Sequence, residues 1–387
     1  MKKILLIALS FAAAFSASAQ ITYPDNVNKD MIRHSIRSTR AGRTEIILPQ
    51  VNGYNIYKVD LHTHSVFSDG SVLPEYRVKE AWADGLDAMA VTEHIEYRRQ
   101  ETKMLEYLED YAKKGEEIAN HNIITEPADK RGIRVDLNYA VELSQKAAEP
   151  YGLLIIPGTE ITRQPQQIGH YNALFTTDNN TIYDPDPLQA LRNAKAQGAL
   201  VQHNHPGWTR KSLDMPEFEV QAYGEGLING SEFYPKAIER AKEFGLFVSA
   251  NTDIHGTTAM DYEGVEGGRN MTFIFAKEKT LPAMREALEA CRTLSYAFGN
   301  LAGDEQLLKD FFLASVKFEP IMKDYKDRQI FSITNTTSIP FAFRIGGGNV
   351  IWLDPFTTVT AKTNTVRITV ENMWYGVDKH PVVEIKF

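Results

Sequence analysis

The chain has 387 residues, 43% hydrophobic and 24% charged, with 42 Lys and Arg against 50 Asp and Glu and a single cysteine. These are ordinary globular values: they exclude intrinsic disorder, collagen and low-complexity fibre, and a chain this long predicts one large domain with a smaller companion. A net charge of −8 without any block of basic residues argues against gripping extended nucleic acid, but not against binding a small phosphorylated molecule.

Lys2 and Lys3 precede an apolar run over 4–15, and Ala17-Ser18-Ala19 supplies small residues at a cleavage point. That is the plan of a secretory signal peptide over 1–19. The run is too short to span a bilayer, and no cysteine follows it to accept a lipid. The expectation is an exported protein, periplasmic or secreted, starting near Gln20. A polar lead-in occupies 20–50.

From 51 to 308, strand-like runs alternate with amphipathic stretches. The runs are 56–61, 88–91, 153–156, 172–175, 199–201, 227–228, 247–249 and 271–276. The helical stretches are 74–83, 137–148, 187–196, 235–244 and 281–291, each with a proline at its start except the second. This alternation predicts a largely parallel sheet, and seven or eight strands over some 250 residues favour a barrel. The 98–149 segment reads as a helical insertion, and 208–225 as a lid or rim loop. Cys291 falls on an apolar helical stripe and reads as a small buried hydrophobe. From 309 to 387 the pattern changes to short alternating runs separated by Thr, Asn and Gly turns, which predicts a small antiparallel β-sandwich.

The polar residues at the strand ends carry the chemistry. Asp60-Leu61-His62-Thr63-His64 closes the first run, with Ser68-Asp69-Gly70 after it; Thr92-Glu93-His94 closes the second and Gly158-Thr159-Glu160 the third. His203-Asn204-His205-Pro206 and Asp253-Ile254-His255-Gly256 follow the fifth and seventh. Residues i and i+2 on a strand share a face, so His62 with His64, and Asp253 with His255, can converge on one centre. The C-terminal ends of parallel strands open on one side, where barrel enzymes place their sites. His170 precedes its run, but the nine residues separating it from Glu160 are too few for a parallel crossover. An antiparallel hairpin would return His170 to the end where Glu160 lies.

The set resembles the PHP (polymerase and histidinol phosphatase) family, metallophosphoesterases built on a distorted (β/α)7 barrel. The resemblance rests on DLHTHSVFSDG (60–70), VTEH (91–94), PGTEIT (157–162), HNHP (203–206) and NTDIHG (251–256), and spans roughly 55–305. It implies two or three divalent ions, with His62, His64, Asp69, His94, Glu160, His170, His205, Asp253 and His255 as ligands and Glu160 as a bridging carboxylate. In the family motif one histidine directly precedes proline, which selects His205. His203, two residues earlier, is left a role in orienting a ligand or touching substrate.

All of these are nitrogen or oxygen donors, which suits Zn, Mn or Fe. The resulting expectation is hydrolysis of a small phosphorylated substrate, a phosphomonoester or nucleotide-type ester, by metal-activated water. Asp253 or His255 would pass a proton to the leaving alkoxide. Arg163, three residues after Glu160, is placed to hold phosphate; Arg210, Lys211 and Arg269 read as solvated surface charges. Two other enzyme readings stand beside this one: an amidohydrolase-type enzyme cleaving C–N or C–O bonds, and a nuclease trimming short oligonucleotides. A third reading gives the working role to the C-terminal domain, which would bind glycan or protein through aromatics such as Trp352, Trp374 or Tyr375.

Overall fold

A computed structural model describes residues 42–100, 136–162, 169–207, 214–232, 237–265, 267–363, 365 and 367–385. The expected signal peptide, the lead-in as far as residue 41, the body of the 98–149 insertion, Arg163, Arg210 and Lys211 lie outside these residues.

The first half of the fold runs β1 (Asn55–Asp60), α1 (Pro74–Ala83), β2 (Ala88–Val91), α2 (Tyr139–Ala148), β3 (Leu154–Thr162), β4 (His170–Leu174), α3 (Pro187–Ala196) and β5 (Leu200–Asn204). It continues with α4 (Glu217–Gly224), β6 (Gly230–Glu232), α5 (Ala237–Phe244), β7 (Phe247–Ser249), α6 (Thr258–Tyr262), β8 (Met271–Ala276) and α7 (Leu281–Glu289). The hairpin β9 (Thr293–Ala297) and β10 (Asn300–Gly303) and helix α8 (Glu305–Ser315) lead into the C-terminal strands.

Local chemistry sets these boundaries. Proline stands in the first turn of α1, α3 and α7, where its missing N–H costs nothing. Among the described residues, side chains cap four α-helix starts: Asp186 accepts from Leu188 N at 3.0 Å, Thr257 from Met260 N at 3.3 Å, Thr280 from Ala283 N at 3.3 Å and Asp304 from Leu307 N at 2.9 Å. Strands β2 and β8 are buried at every position, as strands covered on both faces must be. The 208–225 stretch, read as a loop, contains α4 in its described part.

The main sheet has the order β10-β9-β8-β1-β2-β3-β4-β5-β6-β7. Strands β1–β2–β3 and β5–β6–β7 form two parallel groups. Between them β4 is antiparallel to both neighbours, with His170 opposite Thr162 and Asn172 opposite Glu160, which is the hairpin that the short connection demands. The alternation of strands and helices overstates how parallel the sheet is, since β8 also runs antiparallel, on β1. The sheet curls until its ends meet. Past β1, Thr63 bridges Ile254 past β7; His64 N donates to Ile254 O at 3.1 Å and Asp253 N to His62 O at 3.0 Å. Thr293 Oγ1 donates to Val248 O at 2.7 Å, and Ala250 N donates to Thr272 Oγ1 at 3.1 Å, tying β7 back to β9 and β8. The result is a distorted barrel whose parallel strands open on one side.

The C-terminal strands are β11 (Val316–Lys323), β12 (Gln329–Asn335), β13 (Phe341–Ile345), β14 (Ile351–Leu353), β15 (Thr358–Thr363), β16 (Arg367–Val370), β17 (Met373–Trp374) and β18 (Val382–Glu384). As the sequence predicts, they form antiparallel sheets, ordered β11-β12-β15 and β14-β13-β16-β18. Strand β17 leaves both sheets and pairs parallel with β10, so the barrel sheet gains a strand from the C-terminal region. The division read at residues 308 and 309 falls inside α8, whose aromatics face both ways: Phe311 packs on Phe273 (6.1 Å between centroids) and on Phe341 (6.2 Å), and Phe312 on Phe343 (6.1 Å). Glu45–Phe387 forms one compact unit. Cys291 sits just beyond α7, its Sγ 3.3 Å from Gly245 O, and burial pushes its thiol pKa up, the opposite of what a nucleophile needs.

Candidate metal centre

The strand ends bring nine side chains together. His62 and His64 follow β1 in extended chain, with Leu61 N held by Asn251 Oδ1 (2.8 Å) and Thr63 Oγ1 by Ala90 O (2.6 Å). Leu61 and Thr63 thus point into packed surroundings, and the two histidines emerge on the other face. His94 follows β2, where it bridges Glu160 of β3. Asp253 and His255 follow β7. Donor atoms fall into overlapping groups within 4.8 Å of one another: His64, Asp69, His94 and His255; His62, His64 and Glu160; Glu160, His170 and His205; His62, His205 and Asp253.

Glu160 is the hub. Its fully buried carboxylate places Oε2 3.3 Å from His62 Nε2, 3.3 Å from His64 Nε2 and 2.9 Å from His94 Nδ1, while Oε1 lies 3.0 Å from His170 Nδ1. Asn204 Nδ2 donates to Oε1 at 3.2 Å. Asp253 Oδ1 lies 3.1 Å from His62 Nε2 and 3.0 Å from His64 Nε2, and Oδ2 is 3.8 Å from His205 Nε2. Asp69 Oδ1 sits 3.0 Å from His255 Nε2 and 3.4 Å from His94 Nε2.

Burial alone would lower the pKa of His62, but Asp253, Glu160 and Glu232 outweigh it and hold that pKa well above the usual histidine value. His94 is raised in the same way, by Glu160 and Asp69. Burial would raise the pKa of Glu160 and Asp69, yet the surrounding imidazoles hold both carboxyls well below the usual range. His205 goes the other way, because burial dominates there. The cluster therefore assembles carboxylates that stay ionised deep in the protein, which is costly unless positive charge stands among them.

These residues fit divalent ions. His64 Nε2 is buried and makes no hydrogen bond, although two carboxylate oxygens lie within 3.3 Å. A nitrogen crowded by oxygens without bonding to them is placed as one ligand among several around a common point. The donors are imidazole and carboxylate only, as borderline and hard ions prefer.

Five residues that sequence reasoning did not place support this cluster. Glu232, at the end of β6, accepts from His62 Nδ1 (2.9 Å), Asn251 Nδ2 (2.9 Å) and His205 N (2.7 Å). The Gly-Ser-Glu ending of that run was the available signal, because it lies at the same edge as the other ligand-type residues. Glu93 accepts from Ser65 Oγ and Ser68 Oγ, both at 2.5 Å, and so shapes the loop carrying Asp69. Thr162 Oγ1 lies 2.6 Å from His94 Nδ1. Buried Asp60 accepts from His62 N (3.1 Å), Thr252 N (3.2 Å) and Arg269 Nη2 (2.5 Å). Arg269, read as a solvated surface charge, is buried and also pairs with Asp84 at 2.7 Å, so it ties the end of β1 to the C-terminus of α1.

His203 does not join the others. Gln202 and Asn204 point into the barrel, whereas His203 faces the helices, stacks on Tyr171 (4.7 Å) and lies 2.8 Å from Tyr223 OH. The i and i+2 rule fails because the strand ends at Asn204 and His205 adopts φ +28°, turning its side chain toward Asp253. The substrate-contact reading of His203 is corrected accordingly.

The sequence pattern of the PHP domain matches residues 60–236. The crystal structure of a two-domain protein from Bacteroides vulgatus, described as containing a predicted PHP-like metal-dependent phosphoesterase, is 34% identical and superposes with a TM-score of 0.76, covering 89% of this chain and 98% of that one. PsfC from Pseudomonas syringae is 18% identical over 67% of this chain and 96% of its own, with a TM-score of 0.36. An amidohydrolase from Chromobacterium violaceum, with bound sulfate and no metal, is 14% identical over 62% of this chain and 98% of its own, at 0.34. Neither bears on the chemistry here. No curated protein matches the chain.

Proposed function

Since the chain belongs to the PHP family, we propose that it is a metal-dependent hydrolase of small phosphorylated molecules, exported after removal of the 1–19 segment. The observation that carries the reading is the buried Glu160 carboxylate with four histidine nitrogens within 3.3 Å. His64, Asp69, His94 and His255 would hold one ion, and His62, His170, His205, Asp253 and the shared Glu160 one or two more, of Zn, Mn or Fe. Ions held there would supply a nucleophilic water at neutral pH and offset charge on the phosphoryl oxygens.

The remaining work belongs to the chain. Glu232 and Thr162 fix the ring orientations of His62 and His94. Asp253 and His255 are the most open members of the cluster, each with 38% of its side chain exposed, so they can meet an incoming ester. His255 Nδ1 donates to Asp253 O at 2.8 Å, which sets its tautomer. Either Asp253 or His255 is placed to take up the proton that the attacking water gives up and pass it to the leaving alkoxide. Arg163 retains its proposed role as a phosphate contact.

The test is release of p-nitrophenol from mono- and bis-p-nitrophenyl phosphate by the chain starting at Gln20, reloaded with Mn, Zn or Fe. Metal-dependent turnover that falls at least about 100-fold in Glu160→Gln supports the reading. Metal-loaded protein that cleaves amides and not phosphoesters would overturn it in favour of C–N hydrolysis. Cleavage confined to the diester and short oligonucleotides would make the protein a nuclease.

A further inference from the structure

A cleft of about 810 Å³ opens beside the centre, running from His205 and Asp253 to Phe298, Asn300 and Trp374. That volume lies within the range of about 300–1,000 Å³ that encloses drug-sized ligands, and it far exceeds what a phosphoryl group needs. The space is there for the other half of the ester.

Two aromatics mark its far wall, and neither is explained by the core. Phe298 occupies the first loop position of the two-residue hairpin joining β9 to β10, where Ala297 pairs with Asn300. Its φ is +50° and that of Gly299 +75°, the backbone of a type I′ turn, which favours Asn or Asp followed by Gly. A bulky aromatic in the left-handed region is strained, and the residue is 59% exposed. Trp374 arrives on β17, the C-terminal strand that departs from its own sheets to pair with β10. The indole is half-buried and braced edge-on by His380 (4.4 Å between centroids), whose Nδ1 lies 2.9 Å from Met373 O. Buried Asn372 holds the junction: Nδ2 donates to Gly299 O (2.8 Å) and Pro340 O (3.1 Å), and Oδ1 accepts from Ala342 N (2.9 Å). The C-terminal region is thereby fastened at the point where it contributes a ring to the cleft.

We propose that the leaving group carries a flat aromatic ring, as a nucleoside or aryl ester does, and that it stacks on Trp374 and Phe298 while its phosphate meets the centre at Asp253. Stacking on such rings is tolerant of base identity, and the neutral amides of Asn270 and Asn300 suit the edge of a heterocycle. This inference rests on the phosphoesterase reading and makes the C-terminal β region part of the substrate site.

The test compares kcat/KM for phosphate release from adenosine monophosphate, phenyl phosphate, glucose phosphate and glycerol phosphate in the wild type, Trp374→Ala, Trp374→Phe and Phe298→Ala. Binding of phosphate-free adenosine to the same proteins, with and without metal, is followed by saturation-transfer NMR. Trp374→Ala should lower the ratio of adenosine monophosphate to glycerol phosphate about ten-fold, chiefly through KM, and Trp374→Phe should restore most of it. Phe298→Ala, at an exposed loop position that does not endanger folding, should lower the ratio in the same direction. An unchanged ratio in a folded Trp374→Ala or Phe298→Ala protein would overturn the inference, and a loss confined to glucose phosphate would replace the aromatic ring by a sugar. Should the wild type cleave no phosphoester, saturable adenosine binding that disappears in Trp374→Ala would uphold the ring site without the proposed activity, and no binding would refute the ring site as well.

Discussion

Replacing Glu232 by glutamine keeps the shape of the β6 terminus and removes one charge. In the native protein Oε1 lies 2.9 Å from His62 Nδ1, so that Nε2 is the nitrogen turned toward Glu160 and Asp253. A hydrogen bond to a charged group contributes about 1.5–3 kcal/mol and a neutral one about 0.5–1.5, so the exchange should cost about 1–1.5 kcal/mol. That corresponds to about a ten-fold loss of metal affinity, the low end of the range of about 10–100-fold seen when such a partner of a ligand is altered. Glu232→Ala should cost more, about 100-fold, because His62 Nδ1, Asn251 Nδ2 and the His205 amide all lose their acceptor. Competition with a chelator of known affinity measures the effect, with circular dichroism confirming the fold. Metal binding by Glu232→Gln within two-fold of the wild type would refute the reasoning that this carboxylate orients His62.

His203→Gln should leave metal content and turnover within about two-fold of wild type, since its ring faces Tyr171 and Tyr223; a large loss of either would restore His203 to the site. Asn372→Ala deletes three hydrogen bonds, one buried and two part-buried, and should lower stability by about 2–4 kcal/mol in urea denaturation, and a change under 1 kcal/mol would show the junction is held by other contacts. In the metal-free protein the raised His62 and His94 contribute stability that is complete below about pH 6.5 and lost as pH climbs through their folded values. The lowered Glu160 and Asp69 contribute stability that is present above about pH 4.5 and lost as pH falls. The Tm of the metal-free protein should therefore fall between pH 6 and 8, the Tm of the loaded protein should fall less, and metal binding at pH 6 should expel protons measurable by calorimetry in buffers of different ionisation enthalpy.

Much of this architecture is legible in the residues because short-range rules act alone there. Strands β2 and β7 and helices α1 and α3 fall where apolar runs and first-turn prolines put them. The His170 hairpin follows from chain length, and His62 and His64 from alternation along an extended segment. What escaped depends on contacts between distant segments. Glu232 ends a three-residue strand in which one acid makes no pattern by itself. Arg269 looks like any surface arginine until Asp60 and Asp84, more than 180 residues away in sequence, close on it. The facing of His203 was lost because alternation holds only while the strand continues, and β5 ends at Asn204. The crossing of β17 to the barrel sheet has no local signature at all, because two residues pair there under the control of Asn372.

The central claim is that nine side chains from six strand ends form one centre for divalent ions. Elemental analysis of the chain starting at Gln20, equilibrated with Mn or Zn and freed of excess, tests it most directly. The expected content is two or three ions per chain, reduced in Glu160→Gln and retained in His203→Gln. Less than one ion per chain in the folded wild type, or a content that Glu160→Gln leaves unchanged, would contradict it.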